Sequence, residues 1–192
     1  MLRSILLFVH VCSAMGMFAA LGVEAAALRQ LGRGADAPDV RAALQGYWLV
    51  PRVGALSLAV ALLSGAYLAT TAWGWQVAWI DVSVAGLVLI AAVGATMTRR
   101  GVASLQTAGA DAGGGPSRSG SWESDGDRVL RASFAARLAI LAGIVFLMTV
   151  KPGLEGSLVA MAVAVAAAGF GSYASLRRRA PDATGVARGG VP

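Results

Sequence analysis

The sequence predicts an all-α, polytopic transmembrane helix bundle of five spans. Three observations carry that prediction. The 192 residues are 57% apolar and only 14% charged, roughly half the charged share of a soluble chain. The apolar residues gather into runs of about 20, the length that crosses roughly 30 Å of hydrocarbon at about 1.5 Å per residue. The bases, fifteen Arg and the single Lys151, fall between those runs and favour alternate connections.

The first span is expected over residues 5–28, interrupted only by His10 and Glu24. It reads as a retained helix. Cleavage after the small residues Ala25 to Ala27 would force Arg29, Arg33, Arg41 and Arg52 to the outside, against the charge bias of the rest. Ala42, Ala43 and Leu44 could continue a short interfacial helix towards Trp48. The second span is expected over residues 53–72. Its stripe Gly54, Ser57, Ala61, Ser64 and Gly65 permits close helix contact. The third covers residues 77–97, with Asp81 near its start.

Residues 101–131 are rich in Gly, Ser, Ala and Asp without apolar periodicity, and read as a flexible cytoplasmic linker between the helices of 1–100 and those of 132–176. The fourth span, residues 134–150, is short, so a re-entrant segment in a four-span bundle is the alternative. Lys151-Pro152-Gly153 separates it from a fifth span over residues 157–176, because proline and glycine both end helices. The tail, residues 177–192, resembles the linker in composition. Trp48, Trp73, Trp75 and Trp79 lie near span ends, as an aromatic belt does.

Thirteen Arg occupy the first connection, the third connection and the tail, whereas only Arg3 and Lys151 occupy the other side. The positive-inside rule then places the N-terminus outside and the C-terminus in the cytoplasm of a bacterial inner membrane. The excess charge of +6 is therefore a topology signal. It does not read as a nucleic-acid surface, and the expected surroundings are the lipid bilayer with a homodimeric or membrane-complex partner.

Ionisable residues within spans are costly and are candidates for function. His10, Ser13, Met17 and Glu24 share one face of the first helix, which must point into the bundle. Cys12 and Met15 point elsewhere, so a copper site on this helix is weakly supported. His10 lies about 7 Å and Asp81 about 6 Å inside the outer ends of their spans. With Tyr67, Lys151 and Glu155 they are expected to form an outer polar layer. Glu24, Arg52 and Arg137 are expected to cluster at the cytoplasmic boundary, where guanidiniums relieve the cost of the carboxylate. One His and one Cys exclude a two-histidine site within one chain and an intrachain disulfide.

Leu7-Phe8-Val9-His10, Trp48-Leu49-Val50-Pro51, Ser64-Gly65 and Val150-Lys151-Pro152 resemble an uncharacterised bacterial integral-membrane family. That family is related to the membrane domain of CopD-type copper-resistance proteins and is distantly similar to HemJ-type protoporphyrinogen oxidases. The resemblance covers about residues 5–175. It implies a haem-ligand role for His10, with haem b as the cofactor, and a second ligand from Met17, Lys151 or another copy of the chain. Three functions are then expected: a structural or accessory bundle without catalysis, a haem-binding redox or porphyrin-handling protein, and a transporter of a proton, metal or small solute.

Overall fold

A computed structural model describes residues 1–31, 49–98, 100 and 125–177. Every element among them is helical. Trp48, the 32–47 segment, the linker residues 101–124 and the tail residues 178–192 lie outside the described residues.

Helix α1 spans Leu2–Leu31 and α2 spans Leu49–Leu68. A π-helical turn, Ala69–Trp73, continues α2 until Gly74 ends it at φ 79°, donating its N–H to the Ala69 carbonyl at 2.7 Å. That left-handed conformation is open to glycine and strained for most other residues. Helix α3, Ala78–Val93, follows a three-residue connection that ends in extended Val77, and also closes in a π turn, Gly94–Thr98. Helix α4 runs over Asp125–Val150 and α5 over Leu154–Arg177.

Four helices are long and apolar enough to cross a membrane: Leu2–Arg29, Pro51–Trp73, Ala78–Met97 and Arg128–Val150. The chain is accordingly a membrane-embedded helical bundle. Between 17% and 33% of the apolar window of each is buried inside the protein, so most of that surface must meet hydrocarbon rather than protein. The fourth span is a full-length helix and not a re-entrant segment. Its start lies seven residues before the expected boundary at 132, because Leu130 and Ser133 are buried and continue the inward face of the apolar run. The short apolar stretch falls instead on α5, as Leu154–Phe170.

The order of packing is set by small residues. Helix α1 packs most extensively on α2 and also touches α4; α4 packs on α3 and α5. A Cβ on Gly16 would lie 2.5 Å from Ser57 Oγ, and one on Gly54 3.9 Å from Ala20. Glycine therefore brings the α1 and α2 backbones together along the predicted stripe. Gly86 and Gly143 do the same for Ile144 and Met161 where α3, α4 and α5 meet. Two apolar clusters result. Met17, Leu21, Ala61, Leu87, Ile90, Ile140, Leu141 and Ile144 join the first four helices at mid-depth. Ala69, Trp79, Ile80 and Leu147 join the helices at the end that holds the α2–α3 and α4–α5 turns.

Candidate functional site

The inward face of α1 is the one the helical period predicts. Ser13, Met17 and Glu24 are buried and His10 is half-buried, whereas Cys12 and Met15 are exposed. His10 Nδ1 lies 3.1 Å from the Ala61 carbonyl and 3.1 Å from Ser64 Oγ on α2. A carbonyl only accepts, so Nδ1 carries a proton, and with the ring neutral the lone pair is on Nε2. Ser64 Oγ donates to the Val60 carbonyl at 2.6 Å, which leaves its lone pairs towards the imidazole. The ring stacks against Gly65, where a Cβ would come within 3.1 Å of Cε1. His10 is thus seated between two helices by one backbone acceptor, one hydroxyl and the absence of one side chain.

The inner pair also forms. Arg137 Nη2 donates to Glu24 Oε1, and Arg137 Nε donates to the Ser133 carbonyl at 3.2 Å. Glu24 is fully buried and the Arg137 side chain is 12% exposed. Arg131 Nη2 donates to the Leu28 carbonyl at 3.1 Å, closing the C-terminal turn of α1 from α4. Arg52 lies exposed near the start of α2.

The outer layer does not assemble as expected. Tyr67, Asp81 and Glu155 are exposed. Lys151 turns to aromatic rings: Nζ lies 4.1 Å from the Trp73 centroid and 5.9 Å from that of Trp79. The two indoles meet edge to face at 5.6 Å. Depth alone suggested a common layer, but rotation about each helix axis decides contact. Two signals pointed to the actual arrangement. Lys151 precedes Pro152-Gly153 and takes φ 53°, so its N–H reaches the Leu147 carbonyl at 2.8 Å and ends α4. Gly74 stops α2 just after Trp73. Both therefore sit in turns at one end of the bundle.

Met17 is packed among Leu21, Leu87 and Ile140 in the mid-depth cluster. Seven residues along one helix separate it from His10 by about 10 Å on the same face, and its side chain is taken up by that packing. Lys151 is engaged by Trp73. Neither is placed beside His10. Among the described residues, no three His, Cys, Asp or Glu side chains gather where a metal ion could be held. Comparison with protein-family models, curated proteins and solved structures gives no significant match to this chain.

Proposed function

We propose that this chain is a multi-pass accessory or structural protein of a bacterial inner membrane, acting through its helix surfaces rather than through chemistry of its own. One observation carries the reading: the inward polar groups tie helix to helix. Glu24 and Arg137 join α1 to α4, and His10 joins α1 to α2. Lys151 fastens the turn after α4 to the turn after α2. Five crossings with the N-terminus outside fit the arginine distribution. Helix α5, at 24 residues, is about 36 Å long and long enough to cross.

Purification from haem-replete cells in mild detergent tests this reading. A colourless protein holding a membrane partner at fixed stoichiometry, with no solute or proton flux in proteoliposomes, is expected. A Soret band lost in His10→Ala would overturn it.

A second reading has its own support. The Nδ1 bond to Ala61 leaves Nε2 as the lone-pair nitrogen, the arrangement in which histidines ligate haem iron. A haem-binding or porphyrin-handling protein would use that atom, with a second axial ligand from another copy of the chain. Transport is less well supported. His10 lies between α1 and α2, Glu24 between α1 and α4, and Asp81 on an exposed face, so the three do not line one path.

A further inference from the structure

At the end of the bundle that holds the α2–α3 and α4–α5 turns, one residue stands in a conformation that its sequence opposes. Lys151 has φ 53°, the left-handed region where a Cβ crowds the backbone and glycine is the natural occupant. Pro152 follows it, and a proline pushes the residue before it towards extended backbone. Lys151 is thus strained on two counts, and Gly153 stands two positions too late to relieve it. Such strain persists only where the surroundings over-determine it, and it gathers where a segment has work to do.

Two contacts hold the strained form. The Lys151 N–H reaches the Leu147 carbonyl at 2.8 Å, and the ammonium lies 4.1 Å from the Trp73 centroid and 5.9 Å from that of Trp79. Among the described residues no carboxylate pairs with that ammonium. Lys151 and Trp73 are both exposed. A cation–π contact open to water is weak, of the same order as the backbone strain it offsets. Little else joins the two turns. Helices α2 and α3 touch sparingly, and the α2 side contributes only Ala69 to the buried members of the apolar cluster at this end.

We infer that Lys151 is a releasable strap with two forms close to balance. In the closed form it is left-handed and lies over Trp73, fastening the turn after α4 to the turn after α2. In the open form it takes the extended backbone that Pro152 favours, its ammonium leaves the indole, and the α4–α5 turn swings away. Ser157 Oγ, which donates to the Pro152 carbonyl at 3.2 Å, makes that turn move with the start of α5. Opening would uncover one side of Trp79, which the closed form buries. The opposite end stays shut, because Glu24 and Arg137 are paired there away from water. The strap requires no partner and is independent of the accessory reading.

Double electron–electron resonance on the full-length protein in detergent tests the inference. Spin labels go on Gln76→Cys and Glu155→Cys, both exposed positions, in a Cys12→Ser background. This labelled parent should give a shorter and a longer distance. Trp73→Leu removes the clasp and keeps the strain, so it should lower the short-to-long ratio about two- to fivefold. Pro152→Ala relaxes the backbone and keeps the clasp, so it should raise that ratio. A second label pair, Arg29→Cys with Arg128→Cys, reports the opposite end from exposed positions. It should keep one distance in every variant, which separates opening of the strap from general loosening. A single distance between the first pair in all three proteins would overturn the inference. So would a ratio that falls in Pro152→Ala, or equal changes at both label pairs. Partner retention is not read by these distances, so failure of the strap and failure of the accessory reading are distinguishable.

Discussion

At position 65 the missing side chain matters as much as any present one. The imidazole of His10 is fixed by its bond to the Ala61 carbonyl, so it cannot retreat from a methyl group placed 3.1 Å from Cε1. Gly65→Ala should therefore destabilise the protein by about 1–3 kcal/mol, the usual cost of overpacking. Gly22 is the control, since a Cβ there meets nothing within 4 Å. Gly22→Ala should be neutral, or stabilising by up to about 1 kcal/mol through helix propensity. Thermal unfolding in detergent compares the two, and equal effects would disprove the seated-ring arrangement. The facing of His10, Ser13, Met17 and Glu24 was legible in the sequence because polar residues at helical spacing in an apolar run have only one favourable direction. The partner of His10 was not. A backbone carbonyl leaves no mark in sequence, and Ser64 was visible only as one member of a small-residue stripe.

Between elements, the strongest tie is the one least tolerant of partial removal. A buried ion pair that loses one member leaves the other charge in a medium of low polarity, at a cost of about 3–5 kcal/mol. Arg137→Leu should show that loss, with α1 separating from α4. The double variant Glu24→Leu with Arg137→Leu should recover most of it, because two apolar side chains replace two ions. Unfolding in increasing sodium dodecyl sulfate provides the measurement; a double variant as unstable as the single one would contradict the pairing. This contact was readable in advance as part of a group of three, Glu24, Arg52 and Arg137, placed near one boundary. The clasp of Lys151 by Trp73 was not, because it depends on a π turn and a left-handed residue, neither of which has a periodicity. The early start of α4 was also hidden. Its first residues resemble the polar linker in composition, and only the burial of Leu130 and Ser133 reveals them as helix.

For the whole molecule, the distribution of arginines makes an orientation testable. Cys12 is the only cysteine, so a Cys12→Ser background admits single reporters. Ser4→Cys and Gly153→Cys should react with a membrane-impermeant thiol reagent added to intact cells. Arg100→Cys should react only after the membrane is opened. The reverse pattern would invert the topology. Membrane class and the four long apolar helices among the described residues were legible because hydrocarbon imposes length and polarity limits that a chain cannot evade. The grouping of helices was not, as it depends on glycine contacts such as Gly16 with Ser57 and Gly86 with Ile144, which any of several helix pairs might have claimed.

The tie between Glu24 and Arg137 joins residues 113 positions apart. At a ribosomal pace of about 5–20 residues per second, the carboxylate is made about 6–23 s before its guanidinium exists. Through that interval the first helix carries its acid without the guanidinium it meets in the finished bundle. Arrival of α4 then supplies that guanidinium. The tie therefore closes late in synthesis, and a polypeptide truncated before residue 137 lacks it altogether.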